Sequence, residues 1–344
     1  MPTAVAVSLY QLHELAYRTQ YAELKERARA EPALLPGTPG TLYERKGTGH
    51  AYWYRVYYAA PGRQVEDLIA GAGDPQPLRH AREQIDFAKW AAKQVADLRK
   101  LQFQVADKSV GRVLVEMHNR RLFEAGLVVV GTLCYMAWLN ELGVRAVSLR
   151  TQDVDLARRQ RLELRAPIDF LAALAATKLP FSAVPGLPSQ TPPTSAKLPG
   201  RDGLRVDLLT SGREVGATVA VAELRWHAQA VPHYDYLLAD ALSAAMLAGG
   251  HCVPIRLPRP ERLVWHKLYS SVSRAGAPEK AAKDLLQAAT LAAVLVEQND
   301  EPLAEFAREA PAAVRVAARK RLPALRKALS AHPQALEQIE LGVS

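Results

Sequence analysis

The clearest hydrophobic pattern in the chain is a short apolar run that ends at a glycine. Leu127 to Val130 predicts a buried strand, and Gly131 and Thr132 lead from it into a helix predicted from Leu133 to Leu142, which Gly143 ends. A helix N-terminus at the end of a strand favours anions, because its free N–H groups and positive dipole end can hold a phosphate. The glycine lets such a group approach the backbone closely. We therefore expect a phosphate site at Gly131 and Thr132.

Two further strand-like segments carry three aspartates. Asp153 and Asp155 lie in Ala146 to Leu156, and a period of two puts both on one face of a strand. Asp207 lies in Leu204 to Leu209, a neighbouring strand-like segment. Carboxylates that crowd together repel one another unless cations hold them, and hard oxygen ligands select Mg²⁺ or Mn²⁺. Two such ions would stabilise the attacking and the leaving oxygen of an in-line displacement at phosphorus.

In these residues the chain resembles the DNA polymerase beta superfamily of nucleotidyltransferases. That superfamily carries a helix-capping Gly followed by Gly, Ser or Thr, then Asp-x-Asp, then a third Asp on a neighbouring strand. The gap of about twenty residues between Thr132 and Asp153 is more similar to the AbiEii-like branch and to an uncharacterised bacterial nucleotidyltransferase-fold protein family. The resemblance covers about residues 125 to 300 and includes Trp265-His266-Lys267-Leu268 and Lys283-Asp284.

The resemblance implies both a fold and a set of roles. The fold would be α/β, with a mixed nucleotidyltransferase-fold sheet, an N-terminal small β and helical region and a helical C-terminal domain. Asp153, Asp155 and Asp207 would be the catalytic and metal-binding residues. Gly131, Thr132, Lys267 and Lys283 would bind the nucleotide, while Asp284 is expected either to orient a basic group or to form a structural ion pair.

The implied reaction moves a nucleoside monophosphate from an NTP, such as ATP, to an acceptor hydroxyl and releases pyrophosphate. An RNA 3′ end, with tRNA preferred, is the first choice of acceptor, and relatives of the AbiEii type suggest a toxin with an antitoxin or another protein partner. A second hypothesis is transfer to a protein side chain or a small molecule. A third is a nucleic-acid-binding regulatory protein that has lost activity.

Composition adds a polyanionic partner and argues against export. The formal net charge of +9 makes RNA, DNA and nucleoside triphosphates plausible partners. Only Cys134 and Cys252 are present, without a metal-ligand spacing, which favours a reducing cytoplasm. We see no signal peptide, and the longest apolar stretch, Leu127 to Leu139, is too short for a typical membrane span.

Basic residues form three clusters, each of which is either a nucleic-acid contact or a solvated helix face. They are Arg112, Arg120 and Arg121; Arg158, Arg159, Arg161 and Arg165; and Arg315, Arg319, Lys320 and Arg321. Tyrosines and arginines also alternate between Thr41 and Ala70, where turns predict a small antiparallel sheet. There Tyr52, Tyr54 and Tyr57, with Arg45 and Arg55, could either stack on nucleotides or form the core of that sheet.

Four parts of the chain follow from these patterns. We expect an N-terminal helix plus a small antiparallel β region over 1–78, a helical connector over 79–125, a catalytic core over 126–257, and a helical C-terminal domain over 258–344. A Pro-rich insertion in the core, about 183–202, is expected to be mobile. After Gly212 the pattern predicts mainly helix, including a small-residue helix from Ala239 to Gly249, with Cys252 to Leu257 as a further strand of the catalytic sheet.

Overall fold

The computed structural model describes residues 7–46, 51–60, 62–71, 75–148, 151–274, 276–299 and 302–344. Its N-terminal part consists of β1 (Tyr10–Leu12), α1 (Leu15–Ala30), β2 (Thr41–Lys46), β3 (Ala51–Ala60), β4 (Arg63–Ala70), α2 (Pro75–Lys100) and α3 (Lys108–Asn119). The strands β2, β3 and β4 pair antiparallel in that order, which confirms the small sheet predicted from its turns.

The two faces of this small sheet separate its tyrosines and arginines. Arg55 is buried and donates hydrogen bonds to three backbone carbonyls of the segment 36–39, and Tyr57, on the same face, is buried as well. Tyr52 lies on the opposite face and is exposed, with Tyr54 half-buried beside it. For Arg55 and Tyr57 the core interpretation therefore holds, since neither side chain is accessible to a nucleotide.

The central sheet carries the aspartates. The elements of this region are β5 (Val128–Val129), α4 (Gly131–Glu141), β6 (Val144–Ala146), β7 (Asp153–Arg158), α5 (Phe170–Ala176), β8 (Ser182–Ala183), β9 (Ser195–Lys197), β10 (Arg205–Ser211), β11 (Thr218–Val221), a 3₁₀ turn (Ala222–Leu224), β12 (Trp226–Val231), α6 (Tyr234–Leu237), β13 (Leu242–Ala248) and β14 (His251–Leu257). The order across the sheet is β11-β12-β10-β7-β5, with β8 and β9 off this path. The fold is mixed α/β, as expected.

The strand β10 uses both of its edges. On one side it pairs in parallel with β7 along most of its length. On the other side its first half pairs antiparallel with β9, and its second half pairs in parallel with β12. Because β12 leaves the first half of this edge open, the Pro-rich insertion that contains β9 reaches the strand that carries Asp207.

Two predictions for the region after Gly212 are wrong, although most of this region is helical. The segment predicted as a helix from Ala239 to Gly249 contains β13, and β11 and β12 are also strands. Also, β14 pairs with β13 in a separate two-stranded sheet and does not extend the catalytic sheet. Alanine favours helices, but consecutive buried residues in β13 are equally suited to a strand that is covered on both faces. The missed signal is the Gly249-Gly250 pair, which forms the two-residue turn between these strands.

The C-terminal part is helical, as predicted. It contains α7 (Pro260–Ser273), α8 (Pro278–Asn299), α9 (Leu303–Glu309), α10 (Ala312–Ala328) and α11 (Pro333–Val343). Buried residues of α7 and α8 join the same hydrophobic core as the strands that carry the aspartates. Among the described residues, no helix combines the length and apolar composition that crossing a bilayer requires.

Candidate active site

The register of β7 and β10 brings the three aspartates together. The two strands are parallel, with Asp155 beside Asp207 and Asp153 beside Arg205. Paired residues in adjacent strands are about 5 Å apart and point to the same face. All three aspartates line one cavity of about 190 Å³. The strand period and the pairing of β7 with β10 thus build one carboxylate wall.

Gly131 fits against this wall because it has no side chain. Its φ is +69°, and a Cβ atom there would lie 2.0 Å from Oδ2 of Asp155. The backbone N–H of Val130 donates to the carbonyl oxygen of Asp155 at 3.0 Å, which fixes the start of α4 beside β7. The N-terminus of α4, with Gly131 and Thr132, consequently lines the same cavity as the aspartates.

A cationic wall from α7, α8 and the turn between them faces the carboxylates. Lys267, Arg274, Lys280 and Lys283 all line the cavity. The Lys283 ammonium donates to the Thr132 hydroxyl at 3.0 Å, and burial together with the nearby Lys267 lowers its pKa. Lys280 is exposed and makes no hydrogen bond or ion pair with any residue that the structure describes. The cavity therefore has anions on one side and cations on the other.

Asp284 joins two of these cations. Its buried carboxylate pairs with Lys267 at 3.0 Å through Oδ1 and with Arg274 at 2.7 Å through Oδ2. The Lys267 side chain is only 6% exposed, whereas that of Arg274 is 47% exposed. Arg274 is therefore the better placed of the two to meet a ligand in the cavity, and Lys267 is held mainly by Asp284.

Asp207 is engaged within the protein. Its Oδ1 accepts a short hydrogen bond from the Ser195 hydroxyl and a bond of 2.8 Å from Nε of Arg205, and Arg205 also donates to Ser195 at 2.7 Å. Ser195 belongs to β9, opposite Asp207 in register. The Pro-rich insertion thus contributes a side chain that contacts the third carboxylate.

The carboxylates suit a divalent cation in their chemistry, although they do not converge on one point. Within the described ranges, no three His, Cys, Asp or Glu side chains are arranged as a metal cluster. However, burial, together with the negative charges of the neighbouring Asp207 and Asp153, raises the pKa of Asp155 to about 7. This repulsion between oxygen donors is what a bound cation would relieve, so the residues fit Mg²⁺ or Mn²⁺. Asp153 and Asp155 would hold it, and Asp207 would join once Arg205 gives way.

The sequence pattern missed several residues of the cavity wall. Arg274 and Lys280 carried no local motif, because which side of a helix faces a cleft depends on packing. Tyr234 and His266 also line the cavity, edge to face at 5.2 Å. Burial lowers the pKa of His266 to about 3, so its ring is neutral.

The basic clusters divide into paired and unpaired residues. Arg158 forms a partly buried ion pair with Glu223 at 2.6 Å, which ties the end of β7 to the 3₁₀ turn. Other members hold neighbouring parts of the fold through a carboxylate or a backbone carbonyl; these are Arg112, Arg120, Arg121, Arg319 and Arg321. Arg159 is exposed and has no such partner among the described residues. More than half of the basic residues in these clusters therefore have a partner within the fold.

The sequence that forms this cavity matches a known protein family. The family model described as "Nucleotidyltransferase" matches residues 108–312, more than half of the chain. The chain belongs to this nucleotidyltransferase family. The match includes both walls of the cavity, from Gly131 to Asp284. The nucleotidyltransferase is thus a transferase, and a nucleoside triphosphate is the substrate that its family implies. This family match does not distinguish an AbiEii-like protein from other nucleotidyltransferases.

Curated proteins and solved structures add little to this family assignment. A search of curated proteins finds no match. Among solved structures, the nucleotidyltransferase is similar to an antigenic nucleotidyltransferase-like protein from Paracoccidioides brasiliensis, with 18% identity and a TM-score of 0.37. The likeness covers 67% of this chain and 92% of that one. At that TM-score the likeness adds nothing about the site, which is assigned here from its own geometry and the family match.

Proposed function

We propose that this nucleotidyltransferase moves a nucleoside monophosphate from an NTP to the 3′ hydroxyl of an RNA, with tRNA as the preferred acceptor. The observation that carries the proposal is the cavity with a carboxylate wall on β7 and β10 and a cationic wall on α7 and α8. A triphosphate with divalent cations has the complementary charges. The net charge of +9 supports a polyanionic acceptor. Two free, buried cysteines are in keeping with a reducing cytoplasm.

The residues of each wall have separate tasks in this reaction. Gly131 and Thr132 present the N-terminus of α4 to the β and γ phosphates, next to Lys283. Arg274, oriented by Asp284, neutralises charge on the same phosphates. Catalysis of this kind is mainly positioning and electrostatics.

The carboxylates act on the acceptor side. Asp153 and Asp155 would hold two Mg²⁺ or Mn²⁺ ions, which supply Lewis-acid stabilisation of the attacking and leaving oxygens. Asp207 would accept the proton that the acceptor hydroxyl loses. A new bond then forms between the acceptor oxygen and the α phosphorus, while the bond from that phosphorus to the bridging oxygen breaks and pyrophosphate leaves. Asp207 must exchange its contact with Arg205 for this role.

The test is label transfer with a matched pair of variants. Wild type, Asp207→Ala and Asp202→Ala are incubated with each α-³²P NTP, Mg²⁺ or Mn²⁺, total RNA and cell lysate, and the products are separated on denaturing gels. Asp202 is exposed and lies outside the cavity, so its variant controls for loss of an aspartate in the same region. We expect RNA labelling that EDTA abolishes and that Asp207→Ala lowers by more than about a hundredfold.

The other outcomes separate the alternatives. Label in protein and not in RNA would replace the RNA acceptor by a protein side chain. Label in neither would overturn the RNA acceptor and leave a small-molecule acceptor or an inactive binding protein. Equal labelling by Asp207→Ala and wild type would remove Asp207 from the reaction. Circular dichroism of both variants checks that they fold.

A further inference from the structure

A second cavity lies next to the catalytic one and has no role in the reaction described so far. It has a volume of about 650 Å³, and its lining includes Arg159, Arg213, His233, Tyr236 and Tyr269. Residues that line it alternate with residues that line the catalytic cavity. Along α6 and its N-terminus His233 faces the second cavity and Tyr234 the catalytic one, and Tyr269 and Ser270 divide in the same way on α7. Neighbouring residues of α6 and α7 thus line the two cavities.

The two arginines of the second cavity are available to bind an anion. Arg159 follows β7 and Arg213 follows β10, and both are exposed. Neither makes a side-chain hydrogen bond or ion pair with any residue in the described part of the chain, in contrast to Arg158, which is bound to Glu223. Asp235 also lines the cavity and offsets only one of the two positive charges. Guanidinium groups in such a setting suit phosphates, because they donate two parallel hydrogen bonds.

Aromatic rings lie beside these arginines. His233 and Tyr269 meet edge to face, with 4.7 Å between their ring centroids. Both side chains are partly exposed, so each ring keeps accessible surface. Arginines that follow a phosphate backbone, combined with rings on which bases stack, are the usual elements of single-strand binding. A lone nucleotide phosphate would need the cations and not the rings.

The distance from the second cavity to the catalytic residues suits a short single strand of nucleic acid. Ser211 lines the second cavity and lies four residues beyond Asp207 on β10, which corresponds to about 13 Å along the strand. The arginines that line the second cavity are Arg159 and Arg213. A single strand that enters along these arginines needs only a few nucleotides to bring its end to Asp207.

We infer that the second cavity binds the single-stranded 3′ segment of the RNA acceptor. Arg159 and Arg213 contact its phosphodiesters, and the ring of Tyr269 stacks on a base. The terminal hydroxyl is then directed over α6 towards Asp207. This inference rests on the proposed function, because it assigns a place to that function's acceptor.

Binding is measured without NTP, by fluorescence anisotropy. The probes are two fluorescein-labelled RNA hairpins with the same stem, one blunt and one with an eight-nucleotide single-stranded 3′ overhang. The proteins are wild type, Arg159→Gln/Arg213→Gln, and a control, Lys93→Gln/Arg99→Gln, which removes two exposed cations from α2. Wild type and control should prefer the overhang, and the Arg159/Arg213 variant should lose that preference. Its slope of log K against log salt should fall by about 1.4, since single strands contribute about 0.7 per phosphate contact.

A second pair of variants tests the ring. Tyr269→Ala should weaken binding of the overhang hairpin, whereas Tyr269→Phe should retain wild-type binding because stacking needs the ring and not the hydroxyl. If Tyr269→Phe binds as weakly as Tyr269→Ala, the stacking role is wrong.

The results also separate this inference from the proposed function. Equal binding of blunt and overhang hairpins by wild type overturns the inference, as does an equal loss in the control variant. If label enters RNA but the Arg159/Arg213 variant binds the overhang like wild type, the function stands and the inference fails. Arginine-dependent overhang binding without RNA labelling supports the binding site and overturns the proposed transfer to RNA.

Discussion

Replacing Gly131 with alanine tests whether the glycine is present for the reaction or only for the fold. The new Cβ would lie 2.0 Å from Oδ2 of Asp155, whereas real Cβ contacts essentially never fall under 3.0 Å. The Asp155 carboxylate must therefore move by about 1 Å or more, or α4 must shift by as much. A displacement of about 1 Å in a catalytic geometry can cost about a hundredfold in rate. The φ of +69° adds about 1–2 kcal/mol of backbone strain.

The control is Gly62→Ala. Gly62 has a φ of +74°, and a Cβ there meets no described atom within 4 Å beyond its chain neighbours. It therefore carries the same backbone strain without the clash. Urea denaturation should show a loss of about 1–2 kcal/mol in Gly62→Ala. The loss in Gly131→Ala should be larger by about 1–3 kcal/mol, because the clash with Asp155 must also be relieved. Label transfer from α-³²P NTP should fall about a hundredfold in Gly131→Ala only. If Gly131→Ala keeps the activity of Gly62→Ala, the close approach of Gly131 to Asp155 has no part in the reaction.

Three further substitutions test other contacts of the site. Asp284→Asn should lower the free energy of unfolding in urea by about 3–5 kcal/mol, because it leaves the Lys267 ammonium buried without its anion; a loss under about 1 kcal/mol would contradict this. Burial lowers the pKa of His266 to about 3. Below pH 6.5 this histidine therefore binds a proton in the unfolded chain but not in the folded one, so the free energy of unfolding falls as the pH decreases from 6.5 towards 3. His266→Gln should flatten this fall in pH-dependent denaturation, and an unchanged slope would refute the assignment. Arg205→Gln should tighten Mn²⁺ binding in an electron paramagnetic resonance titration, because the guanidinium no longer competes for Asp207; an unchanged dissociation constant would argue against that competition.

The carboxylate wall was predictable because it depends on local rules. Asp153 and Asp155 share a face through the strand period, and a glycine between an apolar run and a helix marks the start of α4. The pairing of Asp155 with Asp207 needed one further step, that two strand-like segments are neighbours in one sheet. The structure shows that pairing directly. The prediction for the segment that contains β13 was wrong for the opposite reason. Its run of small buried residues has no period that distinguishes a helix from a strand covered on both faces.

The cationic wall was less accessible to sequence reasoning. Lys267 and Lys283 were proposed through resemblance, and both line the cavity. The sequence did not show that these cations differ from Arg274 in their exposure to a ligand. That difference depends on Asp284, whose buried carboxylate holds Lys267 in the interior and leaves Arg274 partly exposed. Such a difference is a consequence of how α7 packs on α8, and a linear pattern carries no record of it.

The contact of Ser195 with Asp207 shows why the Pro-rich insertion belongs to the site. Composition assigns such a segment to the surface, and most of it has no regular structure. The strand β12, however, covers only the second half of the edge of β10, so the unpaired backbone groups beside Asp207 need another partner. The three residues of β9 supply it, and their register places Ser195 opposite Asp207. The backbone pairing that completes the sheet thus also holds the insertion beside the third carboxylate. A displacement of β9 will therefore also change the contact of Ser195 with Asp207.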